Sequence, residues 1–531
     1  MAEKGEPTVE RFVLGIDIGT TATKAVLIHP EGEIVCSASR HVDLYSPRPG
    51  WAEEDPRQWW DNVRALIPEL MEKADIAPDR IAAVGVSGMV PTLICLDERG
   101  EPLRMSIQQN DARAVEEIEE LKGKLPEDWV LETTGSAITQ QSIAPKLMWL
   151  SRREPDVIRK TVSICGSYDY IARRLTGFGS AFVEANWALE SGLYDYRKGV
   201  WSREIAEAAG IRTEWLGEVH PSHRIVGTVR GDHGTGLKDG TPVIAGSADH
   251  VASAFSAGLV EDGDLLIKLG GAGDILLIAS RPAADRRLYL DYHLIPGRYL
   301  INGCMASSGS VIRWFQRELA DGAPLDQLER EAEEAGAGAD GLVLLPYFLG
   351  EKTPLHDPEA RGMFVGLHLG HKRGHLYRAI LEGIAFGFKH HIDTFRDMGF
   401  APRRVRITNG GSRSRLWRQI VADITELPLE SIVDHPGSSL GVAFAAGIGA
   451  GLIGDWSEIH KFLRVEEKIV PDPQYRERYR TLYRVYRDIY PNLLEQQHIL
   501  ARLSRGGGGD GGGNQDGASG AVQPRSPFFL N

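Results

Sequence analysis

The chain has 531 residues, 42% apolar and 25% charged, which is the composition of an ordinary globular protein long enough for two large domains. Its formal net charge of −13 argues against a nucleic-acid partner, which needs a basic face. Four scattered cysteines and a charged N-terminus without a secretory signal favour a reducing, cytoplasmic compartment, and no apolar run reaches the roughly 20 residues of a membrane span.

The first distinctive stretch, LGIDIGTTATK at residues 14–24, predicts two strands joined by a glycine turn. The first strand, residues 12–16, ends at Asp17, whose carboxylate suits a hard cation such as Mg²⁺. The second strand is expected at residues 25–28. Backbone N–H groups and polar side chains of such a turn can hold phosphate oxygens. These groups belong to Gly19, Thr20, Thr21 and Lys24. On this stretch alone, a plain hairpin with a polar turn is an equal alternative.

Further along the chain, apolar strands alternate with amphipathic helices, which predicts a mixed α/β fold. The next predicted strands cover residues 81–86, 92–96, 242–245, 265–269, 275–278, 343–345 and 405–407. The clearest helix is expected at residues 375–398, where apolar side chains recur at spacings of three and four. A glycine-rich, buried helix is expected within residues 441–454. His390 and His391 are predicted to lie on the surface of the long helix.

The segment VIAGSADHVASAF places Asp249 where a strand ends and a helix begins. A helix N-terminus stabilises an ionised carboxylate by about 0.3–1 kcal/mol, so Asp249 stays available as a proton acceptor. The structural alternative is that Asp249 only caps the helix. A carboxylate at the junction of the first turn and a second glycine turn, described next, is well placed to take the proton of an attacking hydroxyl.

Residues 265–278, LLIKLGGAGDILLI, repeat the plan of the opening stretch about halfway along the chain. This repeat predicts two related halves, each with a glycine hairpin. We expect the second turn, with Gly270, Gly271 and Gly273, to bind phosphate as well. Asp274 follows directly and would repel phosphate unless it points away or meets a cation.

A third glycine site, at Gly410, Gly411 and Ser412, lies between a predicted strand and a helix. Its bare backbone allows a flat ligand such as a nucleoside to approach closely. The end of the chain, residues 501–531, is too rich in glycine to form a core and is predicted to be a flexible tail.

An ordered set of motifs between residue 12 and about residue 495 resembles the FGGY family of carbohydrate kinases. DIGTTATK resembles the family's first phosphate motif, and SIAPKLMWL, from Ser142, its first signature. LPYFLGEKTPLHDPEARGMFVGL, from Leu345, resembles a segment typical of xylulokinase-like members. GGSRSRLWRQIVADITELPL, from Gly410, is similar to the second signature, and GSSLGVAFAAGIGAG, from Gly437, to the helix that follows it.

This resemblance implies two actin-like, ribonuclease-H-like α/β domains with an ATP and sugar cleft between them. After an extension at residues 1–11, the N-terminal domain (12–254) would bind the sugar and the C-terminal domain (255–500) the nucleotide. Asp249 matches the family's catalytic base, and Asp17 matches its Mg²⁺-linked carboxylate. The resemblance also places on the phosphates Thr20, Thr21 and Lys24, and beside the adenosine Gly410 and Gly411.

The sequence departs from the family pattern on both sides of the expected cleft. Xylulokinases typically carry Met, His, Gly where this chain has Met89, Val90 and Pro91, so an imidazole is missing from the expected sugar wall. The stretch QQNDAR has Gln109 where the family usually has Trp. The remaining candidates for sugar contacts are Met89, Asn110, Asp111, Arg113 and Asp249, and the alternative for residues 110–113 is a polar loop. In the second phosphate loop, Gly271 and Ala272 replace hydroxyl-bearing residues, so phosphate binding there relies more on backbone amides.

The predicted function is transfer of a phosphoryl group from ATP, with Mg²⁺, to a hydroxyl of a small sugar or polyol, with a ketopentose as the leading substrate. Ribulose, L-xylulose, gluconate, erythritol and glycerol stay open as substrates. A non-catalytic, sugar-sensing protein of the same fold and an actin-like ATPase are the alternatives from other classes. The family resemblance suggests a homodimer.

Overall fold

The computed structural model describes residues 10–231, 233–433 and 435–506. The predicted N-terminal extension lies outside these ranges except for its last two residues. A final helix, Leu494–Gly506, continues past residue 500, so the predicted tail begins too early. The rest of that tail, residues 507–531, lies outside the described residues. Within the described ranges, no helix is long and apolar enough to cross a membrane.

The first sheet has seven strands, with β1 at its centre. They are β1 (Phe12–Ile18), β2 (Ala22–His29), β3 (Glu33–His41), β4 (Ile81–Gly88), β5 (Ile225–Thr228), β6 (Pro242–Ile244) and β7 (Ser247–Ala248). The order is β5-β6-β4-β1-β2-β3, and β7 pairs with the end of β4. Strand β1 is antiparallel to β2, parallel to β4 and buried along its whole length, which explains its continuous apolar sequence.

The second sheet, also of seven strands, repeats this plan. Its strands are β8 (Asp264–Leu269), β9 (Gly273–Ala279), β10 (Tyr289–Tyr292), β11 (Tyr299–Met305), β12 (Arg404–Thr408), β13 (Leu429–Val433) and β14 (Arg464–Ile469). The order is β10-β11-β9-β8-β12-β13-β14. Strand β8 is antiparallel to β9 and parallel to β12, as β1 is to β2 and β4. The predicted internal repeat is therefore confirmed.

Helices surround the two sheets, and ten short strands form five two-stranded pairs among the described residues. The helices are α1 (Pro56–Ala74), α2 (Val115–Lys124), α3 (Glu127–Thr134), α4 (Ile143–Arg153), α5 (Pro155–Lys160), α6 (Ser167–Thr176), α7 (Ala185–Glu190), α8 (Arg203–Ala208), α9 (Asp249–Ser256), α10 (Gly309–Glu318), α11 (Leu325–Ala335), α12 (Arg373–Asp397), α13 (Arg415–Thr425), α14 (Ser438–Gly449), α15 (Arg476–Asn492) and α16 (Leu494–Gly506). The short strands are Glu53–Glu54, Ile94–Leu96, Ser106–Ile107, Ser163–Cys165, Phe182–Glu184, Tyr194–Asp195, Val200–Trp201, Glu218–His220, Val343–Leu345 and Met363–Val365.

The predicted strands and both predicted helices are present, with ends shifted by a few residues. One prediction on the long helix α12 is wrong, because His391 is 1% exposed rather than on the surface. Its Nδ1 lies 2.8 Å from the carbonyl oxygen of Gly387, and its Nε2 lies 2.9 Å from Oγ1 of Thr353. His390 is half-buried. The helix is enclosed on more sides than its apolar stripe alone indicated.

Helix α14 connects the two halves of the molecule. It follows β13 of the second sheet, yet it packs on β1 and β4 of the first sheet and on α9. Backbone meets backbone at three glycines of this contact, Gly15, Gly85 and Gly441, where an added Cβ would overlap a carbonyl oxygen of the facing element. Two hydrophobic cores result, one around the first sheet with α14 and one around the second sheet with α12.

Candidate active site

A cavity of about 180 Å³ lies between the two halves. Its lining residues come from both: Val90, Gln109, Gln141, Glu190, Asp249 and His250 from the first half, and Lys268, Asp274, Leu276, Tyr289, Asp291, Asn302, Gly303, Cys304 and Lys352 from the second. Charged and polar side chains dominate this list, which suits a small ligand with many hydroxyl groups.

Asp249 begins helix α9, directly after β7 has paired with the end of β4. Its side chain is 37% exposed and lines the cavity. One carboxylate oxygen accepts a hydrogen bond from the backbone N–H of His250 at 2.6 Å. The carboxylate thus lies at the N-terminus of a helix and at the surface of the cavity, where it can accept a proton from a bound hydroxyl.

Asp17 lies deeper, near the end of β1, and only 7% of it is exposed. The Ser87 hydroxyl donates to its carboxylate at 2.9 Å. Burial, and then the nearby charge of Asp249, raise the pKa of Asp17 to about 6, although Lys24 opposes the shift. A cation would stabilise these two neighbouring carboxylates, one of which is buried, so the donor set fits Mg²⁺.

The hairpin between β1 and β2 presents its polar groups outward. Gly19 closes the turn by donating its N–H to the carbonyl oxygen of Ala22 at 3.2 Å. Thr20 and Thr21 are exposed at its tip, and Lys24 is exposed on β2 opposite Asp17, so two hydroxyls and one ammonium group are accessible to phosphate oxygens.

The second glycine turn, between β8 and β9, contacts the start of helix α10. The backbone N–H of Ser308 donates to the carbonyl oxygen of Gly271 at 2.8 Å, and Gly309 donates to Gly270 at 2.8 Å. Three buried serine hydroxyls beside this turn have no hydrogen-bond partner among the described residues; they belong to Ser307, Ser308 and the half-buried Ser310.

These serines were missed from the sequence, although the run SSGS at residues 307–310 before a helix was a usable signal. An added Cβ on Gly271 would lie 3.0 Å from the Arg313 guanidinium, so a cation is close by as well. Hydroxyls absent from the turn itself are therefore present in the adjacent segment.

The third glycine site lies at the same edge of the second sheet. Residues Gly410–Arg413 form a short 3₁₀ turn after β12, and β12 is parallel to β8. An added Cβ on Gly270 would lie 3.2 Å from Nδ2 of Asn409, so the two loops are neighbours. Gly410 borders open space. Carboxyl ends of parallel strands commonly bind nucleotides in this way.

Two of the predicted nucleotide residues also have packing roles. An added Cβ on Gly411 would overlap the Trp417 ring and Leu269, so this glycine is required for packing inside the domain. The Ser412 hydroxyl donates to the carbonyl oxygen of Asn409 at 2.6 Å and is 8% exposed.

Asp274 forms an ion pair with Lys268, which offsets the repulsion of phosphate that the sequence predicted. Its Oδ2 lies 3.4 Å from Nζ of Lys268, its partner in the β8–β9 ladder. Burial would raise the pKa of Asp274, but Lys268 outweighs it and the pKa is lowered. The pair therefore adds little net charge to the cavity.

The sugar side differs from the sequence prediction. Met89 is 1% exposed, and its neighbour Val90 lines the cavity instead. Asn110 is exposed to solvent and Gln109 is the residue of this loop that faces the cavity. Asp111 and Arg113 bind each other at 2.7 Å, and neither side chain has any exposed surface. Their predicted role as sugar contacts is corrected to that of a buried ion pair.

That ion pair and a buried lysine support the loops that line the cavity. The Arg113 guanidinium lies 3.9 Å from the centre of the Trp51 ring, and Asp111 accepts the backbone N–H of Ala52 at 2.6 Å. Lys146, in the predicted signature on α4, donates from Nζ to the carbonyl oxygen of Gln108 at 2.9 Å. Burial lowers the pKa of Lys146 to about 7.

Three further residues of the cavity wall were not predicted, because they come from three separate elements and no local motif joins them. Nε2 of His250 lies 3.0 Å from Oδ2 of Asp291 and 3.9 Å from Oε1 of Glu190. His250 directly follows Asp249, and its Nδ1 lies 3.5 Å from the Asp249 carboxylate. The imidazole that is missing at Val90 is thus present in the same cavity on another element.

Comparison with known proteins gives a consistent result along most of the chain. The FGGY family of carbohydrate kinases matches residues 12–256 with its N-terminal domain and residues 270–450 with its C-terminal domain. Xylulose kinase from Bacillus subtilis (strain 168) is 29% identical over 495 residues, which cover 92% of this chain and 99% of the relative. Gluconokinase from the same organism is 28% identical over 511 residues, which cover 93% and 98%.

Among solved structures, xylulose kinase from Rhodospirillum rubrum has a TM-score of 0.87 and 45% sequence identity to this chain. The match covers 92% of this chain and 100% of the neighbour.

Proposed function

Because the chain belongs to the FGGY family of carbohydrate kinases and is an ATP-dependent sugar kinase, we propose that its substrate is a ketopentose, with xylulose first. The observation that carries the proposal is the cavity between the halves, where the Asp249 carboxylate faces a small polar space. The relatives named xylulose kinase support the choice of substrate. The gluconokinase relative keeps an aldonate as the second candidate.

In the proposed mechanism, Asp249 accepts the proton of the hydroxyl that becomes phosphorylated. As the proton moves to a carboxylate oxygen, the hydroxyl oxygen forms a bond to the γ-phosphorus of ATP. The bond between that phosphorus and the bridging oxygen breaks, and ADP leaves. Before this step the carboxylate of Asp249 lies at the N-terminus of α9, where the backbone N–H of His250 donates a hydrogen bond to it.

We propose that Asp17 holds Mg²⁺ and that the glycine turns hold the nucleotide. When bound, Mg²⁺ would neutralise phosphate oxygens in the transition state. The exposed donors of Thr20, Thr21 and Lys24, beside the turn that the N–H of Gly19 closes, support phosphate binding on the first half. The backbone of Gly270, Gly271 and Gly273 would bind phosphate on the second half, beside the serine hydroxyls that have no partner among the described residues. Gly410, Gly411 and Ser412 are the proposed adenosine contacts.

A turnover assay on a panel of substrates tests the proposal. ADP release would be measured with D-xylulose, L-xylulose, ribulose, gluconate, erythritol and glycerol, each with ATP and Mg²⁺. We expect the highest kcat/KM with a ketopentose. A higher value with gluconate would contradict the proposed substrate. Absence of turnover with every compound would favour a sugar-sensing protein, and ADP release that no compound changes would favour an ATPase.

The role of Asp249 gives a direct prediction. Asp249→Asn should lower kcat by roughly 10²–10⁴-fold, because the amide cannot accept the proton, while the Kd for ATP changes little. Single-turnover phosphorylation and nucleotide titration measure the two quantities. Asp79→Asn, a matched change at an exposed position, should leave both unchanged. Near-normal turnover of Asp249→Asn would remove this residue from the role of base.

We further propose that residues 12–254 bind the sugar, that residues 255–500 bind the nucleotide, and that two chains form a homodimer in the cytoplasm. The four cysteines are free, which fits a reducing compartment. Light scattering on the purified chain would decide the oligomeric state.

A further inference from the structure

A second cavity, of about 320 Å³, lies within the second half of the molecule and is called the basic cavity. Three basic and three aromatic side chains line it: Arg287, His390 and Arg487, and Tyr347, Tyr486 and Tyr490. Among the described residues, no aspartate or glutamate lines this cavity, and it shares no lining residue with the cavity between the halves. Sites for small ligands commonly have volumes of about 300–1,000 Å³, so the basic cavity is large enough for one.

Arg487 is the cation of the basic cavity that has no carboxylate partner. It is an exposed residue of α15, and its Nη1 donates to the Tyr483 hydroxyl at 3.2 Å. Within the part of the chain that the structure describes, no carboxylate pairs with it. A guanidinium carries several N–H donors in a planar fork that matches the oxygens of a phosphate group. Most donors of Arg487 are therefore available to a ligand.

Arg287 supplies a second guanidinium, one of whose partners is replaceable. Its Nε and its Nη2 each donate to Asp285 at 2.9 Å, and its Nη1 donates to Asp397 at 3.2 Å. The Asp397 side chain is 66% exposed, and exposed ion pairs contribute little to stability. A ligand anion can therefore take the place of Asp397 at Nη1.

His390, on α12, lies among positive charges. Burial first, and then the charges of Arg487, His391 and Arg287, lower the pKa of His390 to about 2, and no carboxylate acts in the opposite direction. The imidazole is therefore neutral and offers a single N–H donor at the wall of the basic cavity.

The carboxyl groups closest to the tyrosines of this wall do not compete for Arg487. Asp357 accepts from the Tyr490 hydroxyl at 2.7 Å and pairs with His498 at 2.8 Å. Burial raises the pKa of Glu351, near Tyr347, to about 8, so this carboxyl group is largely uncharged at neutral pH.

The tyrosines of the basic cavity offer their rings rather than their hydroxyls. The hydroxyls of Tyr347 and Tyr486 lie 3.1 Å apart and bind each other, and the hydroxyl of Tyr490 is bound to a carboxylate. Rings of this kind pack against the C–H groups of a small ligand, while the basic side chains bind its charged group.

The basic cavity and the cavity between the halves border the same chain segment. Lys352 lines the cavity between the halves, and Pro354 lines the basic cavity. The Thr353 hydroxyl oxygen, between these two residues, lies 2.9 Å from Nε2 of His391 on α12. A displacement of this segment by a ligand in one cavity therefore reaches the wall of the other.

We propose that the basic cavity binds the phosphate monoester of a small sugar, and that the bound ester acts on the cavity between the halves through residues 352–355. The phosphate group would bind Arg487, His390 and Nη1 of Arg287, and the sugar would pack on the tyrosine rings. These donors come from three separate parts of the chain, and the tetrahedral oxygens of a phosphate match them better than a planar carboxylate does. The inference goes beyond the proposed function, because it assigns a second ligand site outside the cavity of the reaction.

Isothermal titration of the full chain with ribose 5-phosphate, in the presence of saturating D-xylulose, tests the site. We expect one bound molecule per chain. In Arg487→Gln the Kd should be at least about tenfold higher, because this change removes a charge and a fork of donors. Arg484→Gln, at an exposed position one turn earlier on α15, is the matched control and should bind like the parent chain. Absence of binding to the parent chain, or an unchanged Kd in Arg487→Gln, overturns the inference.

Two further titrations separate the parts of the ligand. Unphosphorylated ribose should not bind, and inorganic phosphate should bind at least about tenfold more weakly than ribose 5-phosphate. Equal affinity for inorganic phosphate would overturn the assignment of a sugar ester, and equal affinity for ribose would overturn the role of the phosphate group.

Initial rates measure the action on the cavity between the halves. Ribose 5-phosphate should change the KM of the parent chain for D-xylulose by at least about threefold and leave the KM of Arg487→Gln unchanged. The same change in Arg487→Gln would place the ester in the cavity of the reaction and overturn the inference. A bound ester with an unchanged parent KM would overturn the action through residues 352–355. A parent chain that turns over no sugar refutes the proposed function, while the titrations still decide the basic cavity.

Discussion

At the scale of single residues, the neighbouring carboxylates of Asp17 and Asp249 have different surroundings and therefore different properties. Asp17 is almost completely buried, and its pKa is raised to about 6 by burial and by the charge of Asp249. Asp249 keeps more than a third of its side chain exposed. Burial favours a cation at Asp17, and exposure favours exchange of a proton with a bound substrate at Asp249.

The raised pKa of Asp17 predicts a conflict between stability and function. Because its pKa is about 6 in the folded chain and 3.8 in the reference state, its ionisation destabilises the fold above pH 6, by up to about 3 kcal/mol. The destabilisation fades as the pH falls and is absent below the unfolded pKa. Asp17→Asn should therefore raise the free energy of unfolding at pH 7.5, and the gain should shrink towards pH 5.

Urea unfolding at the two pH values measures this gain, and the same variant should lose most of its turnover. Ser87→Ala, which removes the hydrogen bond to the Asp17 carboxylate but not its charge, is the control and should not be stabilised. A variant with unchanged stability at pH 7.5 would show that the charge of Asp17 is well compensated in the absence of Mg²⁺.

The serine hydroxyls beside the second glycine turn predict an effect on nucleotide binding alone. Ser308→Ala removes a buried hydroxyl that has no described partner, so KM for ATP should rise about threefold to tenfold while KM for the sugar stays the same. Ser151→Ala, whose hydroxyl donates within α4, is the control. An unchanged KM for ATP would mean that the Ser308 hydroxyl does not reach the phosphates.

Site residues that belong to one local motif could be predicted from the sequence, whereas residues that converge from distant elements could not. Asp17 and Asp249 are each marked by the strand and glycine turn around them. Glu190 and Asp291 are separated by about a hundred residues and meet only because α7 and β10 reach the same end of the cavity. Neither has a local sequence pattern that indicates a ligand.

At the scale of elements, strands with a clear local sequence pattern could likewise be predicted, and strands without one could not. The central strands β1 and β8 are continuous apolar runs because both of their faces are buried, and they were predicted. Strand β3 at the edge of the first sheet was not, because most of its residues are half-buried or exposed and many are polar. Strand β14 at the edge of the second sheet is similarly polar, and it too was missed.

The close packing of helix α14 against α9 gives a prediction at this scale. Gly441→Ala would push a methyl group into the carbonyl oxygen of Ala252 on α9, the helix that begins with Asp249. Overpacking of this kind typically costs about 1–3 kcal/mol, and a displaced α9 should also lower kcat. Gly123→Ala on α2, where no other part of the described structure lies within 4 Å of the added methyl, should be neutral or slightly stabilising. Thermal melting and kcat of both variants are the measurements.

At the scale of the whole molecule, two sheets of the same plan are joined by the chain at α9 and α14, and the cavity lies between the halves. Kinases of this type must exclude water from the transferred phosphoryl group, which otherwise goes to water. We therefore expect the halves to close when both ligands are bound. Small-angle scattering should give a smaller radius of gyration with D-xylulose plus a non-hydrolysable ATP analogue than with either alone. An unchanged radius would show that the cleft needs no closure.

The glycines beneath α14 bear on how such a closure proceeds. Side chains that interlock across an interface resist sliding, whereas smooth backbone surfaces at Gly15 and Gly85 present no ridges to α14. Motion along this contact is then a shear of a few ångströms rather than a bend at one flexible joint. Since α14 also packs against α9, a shear would carry the first turn of α9 with it, and the position of Asp249 would report on how far the two halves have moved.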